Sequence, residues 1–590
     1  RALVGLVNGI FLFLHPIFLM STLDWLVLVL TLSGIIAYGL WKGRGQKNMD
    51  SYYLGNRSMA WYVILFSIIG TQASAITFLS GPGQAYTDGM RFVQYYFGLP
   101  LAMVVLCVTF VPIFHRLKVF TAYEYLEKRF DVKTRVLTSF LFLLQRSLST
   151  GISIYAPAII LSSLLGWNIY WTNLFMGGLL IIYTVTGGAK AVAQTQKLQF
   201  FIIAAGMFLT GYMVVHLLPQ DVSFTDALHV SGKLDKLNVI VTDFSWTDKY
   251  NVWSGIIGGF FLALSYFGTD QSQVGRYLTG KSIKESRTGL LLNGFVKVPM
   301  QFLILLIGAL LIVFYQFYNA PVLFNKAQVE QVYQSPYAHE LRDIQQDYDA
   351  LTNKKRTQVE NLLTAMHSDK ENATNHWQSE LQTSMHESQK LRADAKQVIT
   401  KADPAADTND TNYIFLYFVL QNLPKGLIGL LVAIIFLAAW GSIASALNSL
   451  SGTTVNDIYK RLVRSDASDK HYLNVSKWST LLWGILSILV AQFANKMGSL
   501  IEAVNILGSL FYGTILGIFL VAFYIKKLRG TPVFIAALIT EAIVVFIYLA
   551  DIISFLWLNV VGCIGVILFA FLIQIMNRPG NKKTILSTQS

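Results

Sequence analysis

Apolar segments long enough to cross a membrane follow one another along this 590-residue chain, and short polar loops separate most of them. About 20 apolar residues suffice to span the hydrocarbon core of a bilayer as a helix. The pattern therefore predicts an all-α polytopic membrane protein. Thirteen transmembrane helices are predicted, near residues 24–42, 60–80, 92–114, 134–165, 168–186, 190–217, 252–277, 288–318, 425–448, 474–495, 499–525, 531–550 and 552–576.

Basic residues in the loops predict how these helices are oriented. The basic groups follow odd-numbered helices or precede even-numbered ones, so all of them fall on one side of the membrane. The positive-inside rule makes that side cytoplasmic, with the N-terminus outside and the C-terminus inside. These groups are Lys42–Arg44 with Lys47, His115–Lys118, Lys128–Arg129, Lys281–Arg287, Lys460–Arg464, Lys526–Arg529 and Asn577–Lys583.

The composition agrees with a protein in a lipid bilayer and argues against other classes. Hydrophobic residues make up 54% of the chain and charged residues 13%, against about 25% charged in soluble domains. The net charge of +13 lies largely in short loops, so no nucleic-acid partner is predicted. The two cysteines lie in separate apolar segments, and the nine histidines are scattered. The sequence thus indicates neither a disulfide framework nor a metal-dependent enzyme.

Three segments fall outside the run of helices. We interpret residues 1–20, which are apolar but short, as an extension upstream of the native start; a signal peptide and a membrane span are the alternatives. We interpret residues 577–590 as a cytoplasmic tail. Residues 319–412 are polar, with ten Lys/Arg and fourteen Asp/Glu, and apolar residues recur there at helical spacing. We interpret this insertion as an extracytoplasmic helical hairpin ending at Asp403-Pro404. A flexible tether is the alternative, and docking of an unknown partner is a further role to consider.

Small and polar residues predict interruptions in three spans, and transport proteins bind ligands and ions where helices are interrupted. The second span has Gly, Ser, Thr and Gln between residues 67 and 77, and Gly81-Pro82-Gly83 is then expected to end the regular helix. The seventh span contains Asp270 and Arg276. We interpret Arg276 as the charge partner of Asp270 or as an anchor at the cytoplasmic surface, so that both residues serve structure or gating.

The ninth span carries hydroxyl groups on one face of a helix, because Ser442, Ser445 and Ser449 stand at i, i+3 and i+7. Such hydroxyls either bond back to the carbonyls of their own helix or supply oxygen ligands to a monovalent cation. The other interrupted helices favour the cation.

Four stretches together resemble the sodium:solute symporter family, which includes sodium/glucose, sodium/iodide, monocarboxylate, multivitamin and sialic-acid cotransporters. They occur in the order and topological positions expected for that family, and the resemblance covers roughly residues 24–525 apart from the insertion. The chain looks like a bacterial-type member. The stretches are Ser51–Trp61, Gly187-Gly188 with Ala191, Val192, Thr195 and Gln199, Gly268–Gln271 with Arg276, and Leu447–Ser449 with Asp457–Lys460.

The resemblance implies a LeuT-type fold, in which two inverted five-helix repeats surround a site at the middle of the membrane. The repeats would cover 55–217 and 252–525, with the 319–412 insertion inside the second. One extra helix, 24–42, would precede them, and two helices within 531–576 would follow. The resemblance also implies a transporter of the bacterial plasma membrane rather than an enzyme.

One sodium site is implied at positions that match the family. Its main-chain carbonyls fall on Gly70, Ala73 and Ala438, and its hydroxyl ligands fall on Gly441 and Ser442. Because Gly441 has no hydroxyl, we expect this site to be weaker than is usual in the family.

The neighbouring ion-coupling positions also depart from the family. Members with a second sodium ion use an Asp and serines where this chain has Gln196, Ala444 and Ser445, which argues against a second ion. Lys197 is either a positive group at the ion site, which would make transport proton-coupled or sodium-independent, or a lysine that reaches the cytoplasmic surface.

Arg146, in the fourth span, favours an organic anion as substrate, because a guanidinium binds a carboxylate through two hydrogen bonds. Sialic-acid members have an arginine in this helix, and Ser74 and Thr77 match their polar contacts. Sugar-transporting members have Glu or Gln at positions that hold Ile76, Thr77 and Tyr96 here. The alternative for Arg146 is an internal ion pair, for example with Asp270. Further candidates for the walls of the site are Gln94, Tyr95, Tyr96, Tyr266 and Phe267.

The predicted function is therefore sodium-coupled symport of a small organic anion, such as a sialic acid or a carboxylate, by alternating access. A sodium-coupled sugar or polyol symporter and a proton-coupled or sodium-independent transporter that uses Lys197 are the alternatives. A transporter-like sensor is the alternative from another class.

Overall fold

The computed structural model describes residues 20–42, 49–404 and 406–576. Most of the extension predicted at the N-terminus, the loop with Arg44 and Lys47, and the predicted C-terminal tail lie outside these residues. The described backbone is helical apart from connecting loops and one isolated bridge between Met59 and Gly280.

The helices of the described residues are numbered here in chain order. They are α1 Thr22–Lys42, α2 Met49–Leu54, α3 Trp61–Gln72, α4 Ala75–Asp88, α5 Leu99–Val108, α6 Phe110–Leu117, α7 Glu124–Arg129, α8 Val132–Leu165, α9 Ile169–His216, α10 Phe224–Lys233, α11 Gly259–Thr269, α12 Gln271–Tyr277, α13 Ile283–Phe317, α14 Lys326–Tyr333, α15 Ala338–His367, α16 Glu371–Ala402, α17 Thr411–Asn422, α18 Leu427–Thr453, α19 Asp469–Ala491, α20 Leu500–Tyr524, α21 Gly530–Leu549 and α22 Phe555–Met576. Short 3-10 helices cover Gly55–Arg57, Met90–Tyr96 and Ala494–Lys496, and π-helical turns cover Ser254–Gly258 and Thr454–Val463.

The apolar helices account for the thirteen predicted spans. In the described part of the chain, ten helices are long and apolar enough to cross a membrane, and α3 with α4 forms an eleventh, bent span. Two shorter apolar stretches occupy the remaining predicted positions, namely Ile169–Val185 in the first part of α9 and Ser254–Thr269, which includes α11. The ninth span, α18, lies at the centre, since nearly all of its residues are buried.

The second span is broken inside the stretch of small and polar residues, 67–77, where an interruption was predicted. Helix α3 ends at Gln72 and α4 begins at Ala75, with a bend of 59° between them. Gly81-Pro82-Gly83 was expected to end the helix, but α4 continues through it to Asp88. The glycine at 83 instead allows close packing, because a Cβ there would lie 1.9 Å from the carbonyl oxygen of Thr411 in α17.

The other two predicted interruptions have different outcomes. The seventh span is broken at Asp270, whose extended backbone separates α11 from α12. The ninth span is a continuous helix, contrary to the expected interruption. Its hydroxyls bond back along their own helix, from Ser442 to the Ala438 carbonyl (3.0 Å), from Ser445 to Gly441 (2.8 Å) and from Ser449 to Ser445 (2.8 Å). Such bonds satisfy polar side chains without breaking the helix.

The polar insertion forms a long hairpin of helices α15 and α16, joined by a turn in which Asp369 has a left-handed backbone. At its base, Asp410 accepts hydrogen bonds from the backbone N–H groups of Phe324 (2.7 Å) and Asn325 (3.0 Å) and pairs with Arg392. The carboxylate of Asp410 therefore joins the two segments of the chain that lead into and out of the hairpin.

The tip of the hairpin contacts a separate helix. His367, the last residue of α15, bonds to Asp226 of α10 at 2.8 Å. Further along α16, the side-chain amides of Gln378 and Gln382 both donate to the carbonyl of Lys233, each at 3.2 Å. The hairpin is thus held at its base and near its tip.

Asp407, beside the hairpin base, provides a test of how this region responds to pH. Burial raises its pKa to about 7, so the folded protein binds this proton more tightly than the unfolded chain does. Stability must then fall as the pH rises from the ordinary aspartate range through about 7. We expect Asp407→Asn to raise the apparent Tm, and to raise it more at pH 8 than at pH 5, in thermal unfolding of the purified protein. Asp347→Asn, on an exposed face of α15, is the matched control. An equal gain at both pH values would contradict the assignment.

The contact between α4 and α17 provides a second test. Gly83→Ala places a methyl group against the Thr411 carbonyl, so the helices must move apart. We expect a loss of about 1–3 kcal/mol, the usual range for overpacking, seen as a lower apparent Tm. Gly178→Ala is the control, because nothing lies within 4 Å of its added carbon. Equal stability of the two variants would show that this contact is not tight.

Candidate functional site

A cavity opens where the two broken spans meet the fourth and eleventh spans. Its volume is about 640 Å³, including its mouth. Six of the eight residues predicted for the substrate site line it, namely Ser74, Thr77, Tyr95, Tyr96, Arg146 and Tyr266. The other lining residues are Gln72, Ile76, Gln145, Leu262, Ile501, Val504, Asn505, Gly508 and Tyr512.

Arg146 is the one charged residue among those that line this cavity. Its Nη1 lies 3.6 Å from Oδ2 of Asp270, which is an ion pair but longer than a hydrogen bond. The Nε group of Arg146 has no hydrogen-bond partner in the described chain. Asp270 therefore compensates the charge of the guanidinium, while the Nε–H group of Arg146 is left without a hydrogen bond in the described chain.

Asp270 is held by the break in the seventh span. Its Oδ1 accepts hydrogen bonds from the backbone N–H (2.7 Å) and the hydroxyl (2.5 Å) of Ser272, and so caps the start of α12. Its Oδ2 accepts a hydrogen bond of 2.6 Å from the hydroxyl of Tyr512 in α20. One carboxylate thus completes the broken helix and balances the charge of Arg146.

Arg276 has a different place from the one expected. The charge partner of Asp270 is Arg146, and Arg276 makes no ion pair with Asp270. Arg276 is also buried rather than exposed at a surface, and its Nε donates to the Ser272 carbonyl at 3.2 Å. It lines a second, smaller pocket together with Asn448 and Ser449 of α18.

Two predicted substrate residues do not line the main cavity. The side chain of Gln94 fastens an outer loop instead, donating to the Tyr250 carbonyl (3.0 Å) and accepting from the Val241 N–H (3.0 Å). Phe267 is buried behind Tyr266, with which it makes an edge contact.

Several polar lining residues were not singled out from the sequence. Gln72 and Gln145 each have a side-chain oxygen without a partner among the described residues, and Asn505 accepts from the hydroxyl of Tyr95 at 3.1 Å. The eleventh span did carry a signal, because Asn505, Gly508 and Tyr512 recur at helical spacing within an otherwise apolar segment.

The break in the second span offers oxygen atoms to a cation. The N–H of Ala73 bonds to Ile69 and that of Ser74 to Gln72, so the carbonyls of Gly70 and Ala73 accept no backbone hydrogen bond in the described chain. Free carbonyls at an unwound helix are typical ligands of Na⁺ in transporters. The carbonyl of Ala438 and the hydroxyl of Ser442 lie together in α18. Gly441 has no side-chain oxygen to add, so these residues contain four of the five oxygens that the resemblance implies for a sodium site.

Gln196 lies next to this site, and both the nitrogen and the oxygen of its side-chain amide are hydrogen-bonded. Its amide nitrogen donates to the Gly441 carbonyl (3.0 Å) and to the hydroxyls of Thr71 (3.2 Å) and Ser445 (3.3 Å). Its amide oxygen accepts from Ser67 at 2.8 Å. The hydrogen bonds of Gln196 described here do not involve Lys197, which is partly exposed. Of the two candidates, Gln196 is the one that faces the ion-site residues.

Comparisons with known proteins agree with this arrangement. The model of the sodium:solute symporter family matches residues 52–335 and 393–540. The chain is 24% identical over 558 residues to the sodium/sialic acid symporter NanT of Aliivibrio fischeri, covering 94% of this chain and 93% of that one. It is 27% identical over 499 residues to the sodium-coupled monocarboxylate transporter 1 of Xenopus laevis, covering 84% and 67%.

A solved structure shares the fold. The substrate-bound, outward-open structure of a Na⁺-coupled sialic acid symporter superposes with a TM-score of 0.72 and 23% identity, over 95% of this chain and 99% of that one. The two chains therefore have the same fold along nearly their whole length.

The double variant Arg146→Gln/Asp270→Asn tests whether the guanidinium binds anions. It removes both charges, so that neither is left buried without its partner. We expect the variant to fold but to bind organic carboxylates about tenfold more weakly or worse, because a hydrogen bond to a charged group contributes about 1.5–3 kcal/mol. Titration calorimetry with N-acetylneuraminate and with lactate measures the Kd. The control, Asp270→Asn alone, keeps the guanidinium and should bind no more weakly than the unmodified protein. Unchanged affinity in the double variant would exclude Arg146 as an anion ligand.

Proposed function

Because the chain belongs to the sodium:solute symporter family, we propose that it is a secondary active transporter that couples the movement of Na⁺ to uptake of a small organic anion. The observation that carries the proposal is that Arg146 lines the cavity and has an Nε–H group without a hydrogen bond in the described chain. Relatives named for sialic acid and for monocarboxylates support an anion.

The lining of the cavity narrows the class of anion. Besides the guanidinium, Gln72, Gln145 and Asn505 present amide groups, and Ser74 and Thr77 present hydroxyls. Amides and hydroxyls suit the hydroxyl groups of a substrate, whereas a small monocarboxylate has few of these. The substrate we propose is a hydroxylated carboxylate, such as a sialic acid. The same amides make a sugar or polyol the second candidate.

The proposed mechanism is alternating access. Na⁺ bound by the carbonyls of Gly70 and Ala73 and by Ser442 would hold the broken second span against α18. The ion drives uptake only through its different affinity for the outward-open and inward-open states, since linkage makes the coupling of ion and substrate reciprocal.

The topology is part of the proposal. We assign the inverted repeats to 55–217 and 252–525, with an extra helix at 24–42 and two closing helices within 531–576. The basic loops support a cytoplasmic C-terminus, and the hairpin of the 319–412 insertion would then stand outside a bacterial inner membrane. Because the ion-site cluster is hydrogen-bonded through Gln196, coupling through Lys197 is not part of the proposal.

Uptake into proteoliposomes tests the coupling ion and the substrate class together. We expect an inward sodium gradient to drive accumulation of N-acetylneuraminate, and choline in place of sodium to abolish it. Ser442→Ala removes the remaining hydroxyl of the sodium site and should raise the half-saturating sodium concentration, whereas Ser449→Ala on the same helix should not. Equal uptake without a sodium gradient would overturn sodium coupling, and accumulation of glucose but not of the acid would favour the sugar alternative.

A further inference from the structure

Gln196 stands at the junction of three helices on the inner side of the broken second span. The amide N–H₂ group of this α9 residue points at three oxygen atoms, two of them in α18 and one in α3. The amide oxygen bonds to a second residue of α3, Ser67. A donor surrounded by oxygens, deep in a protein that spans a membrane, has the same electrostatic surroundings as a bound cation.

We propose that the side-chain amide of Gln196, which is covalently part of α9, takes the place of a coupling cation. Transport is consequently coupled to Na⁺ at a single site, formed by Gly70, Ala73, Ala438 and Ser442. This inference rests on the proposed function for its sodium coupling. The amide supplies hydrogen atoms to the oxygens that a cation would otherwise have to satisfy.

The backbone around Gln196 is shaped to admit this side chain. A Cβ added at Gly70 would lie 3.1 Å from both Cβ and Cγ of Gln196, and one added at Gly441 would lie 3.3 Å from its amide nitrogen. The same added carbon at Gly441 would lie 2.8 Å from Oε1 of Gln199. A serine at 441, which would give the sodium site its missing hydroxyl, therefore conflicts with the two glutamines.

The tether changes what this cluster does during transport. A cation can leave, and its departure frees the helices that it joined. The amide of Gln196 cannot leave, so α3 separates from α9 and α18 only when its hydrogen bonds to Ser67 and Thr71 break. Gln196 joins α3 to α9 and α18 whether or not sodium is present. Fewer ions are therefore needed to hold α3, the first half of the broken span, against these two helices.

Gln196→Glu is the direct test, since it replaces the donor by a carboxylate and turns the cluster into a cation site. We compare thermal unfolding in sodium chloride and in choline chloride, with protein purified in sodium. The unmodified protein should show one saturable sodium response and a Hill coefficient near 1 for uptake. Gln196→Glu should be less stable in choline, should gain a second sodium-dependent rise in Tm, and should show a Hill coefficient above 1.

Two further variants keep the test decisive. Gln194→Glu makes the same change two residues earlier on α9 and should add no sodium response. Gln196→Met has similar length but no donor, and should lower the Tm equally in both salts without adding a sodium response. If Gln196→Glu fails to fold, the methionine variant decides the question, because unchanged stability there would mean that the amide does not hold the helices.

The failures of the two proposals are distinguishable. A Hill coefficient near 2 in the unmodified protein, or no new sodium response in folded Gln196→Glu, would overturn the role of Gln196. Uptake by the unmodified protein that needs no sodium would overturn sodium coupling, while a sodium response gained by Gln196→Glu would still support the substitution of an amide for a cation.

Discussion

A helix that is broken inside a membrane leaves backbone groups that lipid cannot satisfy, and every such group must find a partner in the protein or in what the protein binds. Among the spans that the structure describes, two are broken, at Ala73-Ser74 and at Asp270. At Asp270 the protein itself supplies the partner, because the carboxylate caps α12. At the first break the carbonyls of Gly70 and Ala73 accept no backbone hydrogen bond in the described chain. This difference between the two breaks is the reason why we propose an ion at the first and none at the second.

The charges of the central cavity follow from the same constraint. Arg146 requires a negative partner in a low-dielectric environment, and Asp270 serves it while still capping its helix. A pair separated by 3.6 Å stays open to a third charged group, such as the carboxylate of a substrate. We expect an anion bound to Arg146 to weaken the ion pair between Arg146 and Asp270. Because Asp270 also accepts a hydrogen bond from Tyr512, this change would affect the contact with α20.

Much of this could be predicted from the sequence, and the remainder depends on contacts between distant residues. The family is confirmed, and so is the all-helical membrane fold. Length and hydropathy are local properties, so they located the spans. The break at Ala73-Ser74 lies in the polar stretch that predicted it. The helix end expected at Gly81-Pro82-Gly83 was wrong, because proline and glycine normally end helices, whereas here Gly83 is needed for contact with Thr411. The bonds of Gln196 join residues more than 120 positions apart, and no periodicity along the chain could show them.

The helical hairpin is held both at its base and near its tip, so the insertion connects two parts of the molecule instead of projecting freely. Helix α15 has 30 residues and is therefore about 45 Å long. Its base is continuous with α17, which packs on α4, while its tip bonds to Asp226 of α10, just beyond the end of α9. The hairpin thus connects the second half of a broken span with α10, which follows α9. We expect a displacement of α4 relative to α9 to move this hairpin or to break its contacts at His367, Gln378 and Gln382, so the polar insertion physically connects the two helices.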